Sequence, residues 1–186
     1  MKTFNPSSSA AFDLHHFSGI VEESGKNLET RVSGGGGGGA TYQGTGGTAP
    51  ISITSKTVIH DQLFLTNSEG KERSFQLQDF NIACRKGNEV TVFWGIKKGK
   101  SKGSYLAVKN HTTEQLFFDE NEVSKMFLNL WLQGLIVLGG VMAIFVISYL
   151  GYIIGPGLFF LAWRRWQTAK KEVADFKQSI RELPFD

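Results

Sequence analysis

The stretch Gly95-Ile96-Lys97-Lys98-Gly99-Lys100-Ser101 holds glycines, lysines and a serine in roughly the order of a phosphate-binding loop. Such a loop needs four residues between its glycines and a helix after it, because the backbone amides must cradle the phosphates. Here three residues separate Gly95 from Gly99, and residues 105–108 read as a strand. Nucleotide binding is therefore not the expected chemistry. The lysines instead mark a basic turn tip: Lys97, Lys98, Lys100 and Lys102. Phe93, Trp94 and Tyr105 flank the tip and could stack bases, as small β-barrels do with single strands. The plainest alternative is a solvated turn. With an apolar run close by in the chain, anionic lipid fits better, each basic group near a membrane surface contributing ~1 kcal/mol. Lys97, Lys98, Lys100 and Lys102, with Arg164 and Arg165, are the expected contacts for lipid or another anionic ligand, and nucleic acid is not an expected partner.

Other chemistry-bearing residues are sparse. His15, His16, His60 and His111 lack metal-ligand spacing to a cysteine or carboxylate on a helix face. His60-Asp61 suggests an oriented imidazole, but no nucleophile stands beside it, so a structural histidine is the expectation. Cys84 precedes Arg85-Lys86, which could activate its thiolate, against the simpler reading of a buried strand cysteine. As the single cysteine it forms no intrachain disulfide and suits a reducing compartment. Asn110-His111-Thr112 matches a glycosylation acceptor, which a cytoplasmic location would leave unused. No enzyme activity, cofactor or metal is expected.

The elements that must position these residues are dominated by an apolar run over 126–163, which has no charged side chain. As one helix it would extend ~57 Å, against a hydrocarbon core of ~30 Å. A transmembrane hairpin, a single pass followed by an interfacial helix, and a re-entrant dip compete. The hairpin places Trp131 opposite Trp163 and Trp166 at one interface and Tyr149 with Tyr152 at the other. Gly151 and Gly155-Pro156-Gly157 would supply the turn. Arg164, Arg165, Lys170 and Lys171 favour the cytoplasmic side, and residues 1–12 do not resemble a signal peptide. A hairpin keeps both termini cytoplasmic and is the expected arrangement, over about 127–149 and 151–164, in a bacterial-type inner membrane. Asn129 and Gln133 lie four apart, and Gly134, Gly139 and Gly140 let backbones approach, so these five are the expected helix-association residues.

The rest of the 186 residues has room for one small domain, and a net charge of +3 is too low to imply nucleic acid by itself. Residues 1–16 are expected as a flexible leader. Residues 17–120 carry short alternating β-branched and aromatic stretches with turns between them, as in a small β sandwich or barrel. Two short strands are expected at 17–23 and 27–32, and others near Ile53, Leu63, Phe75, Val92, Tyr105 and Leu116. The glycine-rich segment 33–47 is expected as a flexible loop, a backbone-amide nest for an anion being the sharper alternative. The membrane segment occupies 121–163. Residues 164–186 form a basic amphipathic tail helix, in which Trp166, Ala169, Val173, Phe176, Ile180 and Leu183 share one stripe and Pro184 ends the helix. That stripe is expected to pack on the β domain or the membrane, or to join copies as a short coiled coil.

The expected fold is α+β: a small all-β domain, a transmembrane helical hairpin and an amphipathic tail helix. The expected function is a membrane-anchored binding or scaffold module whose β domain recognises a protein, a lipid head group or a regulatory ligand. The expected partners are the lipid bilayer and either further copies or a membrane protein. A subunit of an oligomeric channel or transport assembly is the alternative.

Overall fold

The computed structural model describes residues 2–35, 52–146 and 148–183. Most of the glycine-rich segment and Pro184 lie outside the described residues. Seven strands are described among them: β1 (Lys2–Phe4), β2 (Phe12–Gly35), β3 (Ser52–Thr66), β4 (Glu72–Gln78), β5 (Glu89–Lys97), β6 (Ser104–Asn110) and β7 (Gln115–Phe118). Three helices follow: α1 (Glu120–Phe127), α2 (Leu130–Val146) and α3 (Ser148–Arg181). The strands form one antiparallel sheet in the order β4-β3-β2-β5-β6-β7, with β1 added to β2.

β2 organises the sheet. Residues 17–23 and 27–32 are not two short strands but parts of one 24-residue strand. Its first half pairs with β5 from Phe12 to Ile20, and its second half pairs with β3 from Ile20 to Gly35. The partner changes at Ile20, just after Gly19, and a bulge follows between Val21 and Glu23. A Cβ at Gly19 would lie 2.8 Å from the Thr66 carbonyl oxygen, so only glycine fits this close approach. Past Gly25, β2 has β3 as its only described strand neighbour, and β3 pairs with β4 only over His60–Thr66. A two-stranded ribbon therefore extends beyond the sheet, with Leu28, Val32 and Ile53 about two-thirds exposed.

The rest of the sheet curls. Phe75 of β4 meets Tyr105 of β6 edge-on at 6.0 Å, although three strands separate them in the sheet. Phe75, Leu63, Leu65, Val90, Val92 and Val108 fill the concave core. Residues 79–88 cross from β4 to β5 and close it, burying Phe80 and Ile82. Asp79 fastens this crossing: its backbone N–H donates to the Ile59 carbonyl at 2.8 Å, and its carboxylate accepts from the Ile59 N–H at 3.2 Å.

The helices cover the other face. α1 starts at Asp119, whose carboxylate accepts from the Glu122 N–H at 2.9 Å as an N-cap. It buries Val123, Met126 and Phe127. The C-terminal half of α3 returns over the sheet, and its stripe buries Ala169, Phe176 and Ile180 in the same core. The first residues are pinned as well. β1 pairs with Phe12–Leu14, Phe4 stacks on Phe12 at 5.2 Å, and Ser8 accepts the Asn129 N–H through its carbonyl at 3.1 Å.

Three expectations are corrected. The domain is one curled antiparallel sheet with three helices, not a sandwich or barrel leading into a membrane hairpin. Among the described residues no helix is long and apolar enough to cross a membrane. Leu128 is extended and Asn129 caps a new helix, so the apolar run begins in a separate helix, α1. Among the described residues α2 is 17 residues, or ~25 Å at 1.5 Å per residue, less than a ~30 Å hydrocarbon core. α3 is longer, but Arg164 and Arg165 end its uncharged part. The expected turn is also misplaced, since α3 runs unbroken through Gly151 and Gly155-Pro156-Gly157. The transmembrane spans at 127–149 and 151–164, and the multi-pass inner-membrane location drawn from them, fall with this finding.

Phe176 is fully buried and its ring meets those of Phe4, Phe12 and Phe127 at 5.3, 6.3 and 5.4 Å. Phe176→Ala should cost about 3–5 kcal/mol, through lost transfer energy and the cavity left behind. The measurement is a shift in the denaturant midpoint at unchanged slope.

Candidate functional site

The basic turn joins β5 to β6. Gly99 adopts φ +82°, and the Lys100 N–H donates to the Lys97 carbonyl at 3.0 Å. Lys97 is half-buried, while Lys98, Lys100 and Lys102 are exposed. The Lys97 ammonium donates to Ser9 Oγ at 3.0 Å and to the Lys125 carbonyl at 2.7 Å. Burial, and then the nearby Lys100 charge, hold Lys97 below its ordinary lysine value. Across the gap on α1, Lys125 donates to Glu122 at 2.6 Å. Burial pushes the Glu122 carboxyl up, but hydrogen bonds from Lys125 and Ser104 outweigh it and hold the group below its ordinary value. The turn and α1 enclose a cavity of about 220 Å³, lined by Lys97, Lys100, Lys102 and Lys125 but not by Lys98.

The arginine pair does not join this group. Arg164 is exposed on α3. Arg165 donates from Nη2 to the Ser8 carbonyl at 3.2 Å, and its buried Nε has no hydrogen-bond partner. Arg165 thus serves to hold the N-terminal segment against α3.

The expected helix-association residues divide. α2 and α3 pack closely at Gly140, where a Cβ would come within 3.4 Å of the Gly155 carbonyl oxygen. Two glycines that the sequence pattern offers only as turn formers complete this contact. A Cβ at Gly151 would lie 2.0 Å from the Ala143 carbonyl oxygen, and one at Gly155 would lie 2.4 Å from Ile144 Cγ1. Gly139 makes only ordinary contact with Leu158, and Gly134 faces open space. Gln133 bridges the helices, its Nε2 donating to the Ala162 carbonyl at 2.7 Å, while its buried Oε1 is unsatisfied. Asn129 instead caps α2, its side chain accepting from the Leu132 N–H at 3.2 Å.

The outer faces of this helix pair are apolar and uncovered. Trp131 is 76% exposed, Phe145 82%, Tyr152 71% and Ile153 74%. Leu138, Met142, Phe160 and Trp163 are more than half exposed beside them. Along the tail stripe, Val173 packs at the core margin, Phe176 and Ile180 are buried, and Trp166 and Leu183 remain partly exposed. The Lys170 ammonium sits 3.6 Å from the Trp166 ring centroid. Lys109 donates to the carbonyls of Arg181 and Leu183, satisfying the C-terminal end of α3.

The His60-Asp61 pair is not a catalytic pairing in space. His60 meets Glu29 at 3.1 Å on the surface, whereas Asp61 is buried and accepts from the Ile82 N–H at 3.2 Å. His15 stacks on Trp94 at 5.7 Å. Among the described residues no cluster of three or more His, Cys, Asp or Glu could hold a metal ion.

Cys84 lies in the irregular 79–88 crossing rather than in a strand. Burial pushes its thiol up to about 11, against a smaller opposing effect of the Asn110 hydrogen bond. The Arg85-Lys86 pair does not activate it. At neutral pH the thiolate is scarcer than in a free thiol, and its greater nucleophilicity only partly compensates. Alkylation by iodoacetamide should run roughly tenfold slower than for a free thiol, with the rate still rising above pH 9. The raised value also means that Cys84 favours the folded state below the ordinary thiol range, and that this contribution is lost as pH rises toward 11. No family model, curated protein or solved structure matches this chain, so the geometry of these surfaces carries the functional argument.

Proposed function

We propose that this chain is a binding or scaffold module that assembles with further copies of itself through the apolar pair α2 and α3. The supporting observation is the uncovered apolar surface around Trp131, Phe145, Tyr152 and Ile153. Contiguous apolar patches beyond a few hundred Å² are rare on monomeric proteins and mark interaction sites. Aromatic residues and methionine, both present here, are the side chains enriched in interface cores.

The chemistry of the patch selects the occupant. No charged residue interrupts α2 or the first half of α3, so a charged or polar partner surface would be desolvated without compensation. A second α2–α3 pair offers a surface of the same uncharged character. Isologous pairing of one patch with itself is the commonest way for homo-oligomers to close. Fixed packing at Gly140, Gly151 and Gly155 keeps the two helices together as one rigid docking element, so little order has to be gained on association.

Sedimentation velocity on the full chain over a hundredfold concentration range tests this. A dimer or larger species should persist into the low micromolar range. Phe145→Glu combined with Ile153→Glu should shift the population to monomer while the β-sheet circular dichroism stays unchanged. A wild-type chain that remains monomeric at all concentrations would refute the proposal.

A further inference from the structure

Two glycines permit close packing at the base of the β5–β6 turn. A Cβ at Gly103 would lie 2.1 Å from the Gly95 carbonyl oxygen. A Cβ at Gly95 would lie 2.9 Å from Leu106 Cδ1 and 3.3 Å from Met126 Cε. A side chain at Gly103 would clash with the Gly95 backbone beside the 220 Å³ cavity, whereas one at Gly95 would press on the ends of the Leu106 and Met126 side chains. The base of the lysine-rich turn is therefore fixed by close packing at Gly103, and Lys97 is anchored to Ser9 and the Lys125 carbonyl, while Lys100 and Lys102 are exposed.

The charges around this space do not balance. Lys97, Lys100, Lys102 and Lys125 line it, and Glu122 is the one carboxylate among its lining residues. Glu122 is already engaged by Lys125 at 2.6 Å. Among the described residues, none of Lys97, Lys100 and Lys102 forms an ion pair. The contacts of Lys97 are to neutral oxygens, on Ser9 and on the Lys125 backbone. Four lysines thus border one small space that has a single carboxylate, Glu122, which is shared between Lys125 and the charge of Lys97. Like charges so placed repel, and a bound anion would relieve the repulsion while accepting charge-assisted hydrogen bonds.

We infer that the cavity beneath the β5–β6 turn binds a phosphoryl group, held by Lys97, Lys100, Lys102 and Lys125. Lysine suits this task as a flexible point charge with three donors. The volume suits one tetrahedral anion with some of its water and lies below the ~300–1,000 Å³ of pockets that enclose larger ligands. The strand after Gly103 provides no helix N-terminus, so the side chains supply the attraction. The phosphoryl group can belong to a small phosphomonoester or to a lipid head group, since both present the same oxygens. The inference goes beyond self-assembly through α2 and α3 and is independent of it.

Equilibrium dialysis of the full chain against radiolabelled inorganic phosphate tests the site. Saturable binding of about one phosphate per chain is expected, weakened at least tenfold in Lys100→Gln/Lys102→Gln. Lys98→Gln should bind as the wild type does, because Lys98 lies outside the cavity. Both changed lysines are exposed, so unchanged circular dichroism and melting serve to show that the fold is kept. Flotation with phosphatidylcholine vesicles, with and without phosphatidic acid, separates the two sources. Stronger binding to the anionic vesicles, reversed by the double substitution, assigns a lipid head group. Phosphate binding without vesicle preference assigns a small phosphomonoester. The inference is overturned if neither saturable phosphate binding nor an anionic-vesicle preference is found. It is equally overturned if Lys98→Gln weakens binding as much as the double substitution does. A monomeric chain that still binds phosphate would count against self-assembly alone.

Discussion

The packing of Phe176 against Phe4, Phe12 and Phe127 is the contact on which the arrangement of parts depends. Four rings from β1, β2, α1 and α3 meet there, drawn from residues far apart in the chain. Their edge-on and stacked geometry adds to the area they bury. With α3 held at this point, its uncharged first half must project away from the sheet, and α2 follows it. The apolar surface is exposed because the same helix that seats one end in the core carries the other end out of it. Lys177 reinforces the seat, pairing with Glu120 of α1 at 2.7 Å and lying over the Phe118 ring.

Much of the secondary structure is readable from local pattern. The alternation of Phe75 with Leu77 marks β4, and Asn67 followed by Gly70 marks the turn before it. The Asn67 side chain accepts from the Glu69 and Lys71 N–H groups, and Gly70 takes φ +77°. The spacing from Ala169 to Ile180 shows which face of α3 is apolar, because a helical period survives whatever the stripe packs against. Tertiary choices are less legible. Gly25 in β2 resembles a strand end, yet pairing with β3 carries the chain through it as one strand. Gly155-Pro156-Gly157 resembles a turn, yet close packing against α2 favours a helix with glycine at the contact. A proline in mid-helix is usually costly, and nothing local announces that it is tolerated here. The division at Leu128 and Asn129 is only partly legible: Asn129 is a local N-cap for α2, whereas the contact of its N–H with the Ser8 carbonyl comes from far away in sequence.

The candidate site shows the same split. A lysine-rich turn is evident from composition, but which lysines share a space is not. The fold decides that, with Gly103 permitting a backbone approach at the base of the turn that no residue with a side chain could make. Lys98 is adjacent in sequence to Lys97 and absent from the cavity, whereas Lys125 comes from a different element and lines it. Arg165, grouped with the lysines by charge alone, is occupied elsewhere with the Ser8 carbonyl. Charge identifies candidates, and backbone proximity sorts them.

The ribbon formed by the far ends of β2 and β3 has a separate consequence. Two paired strands with no third neighbour among the described residues are marginal by themselves in water, and Leu28, Val32 and Ile53 gain little from burial there. The curled sheet and its aromatic seat do not reach that far. Opening the ribbon therefore exposes little that is not already wet, and it belongs at the low end of the range of local opening energies. One continuous strand, β2, thus runs from the best-protected part of the molecule to one of its least protected. Amide exchange along that strand would fall into two regimes, and a change that weakens the outer one would leave the inner one intact.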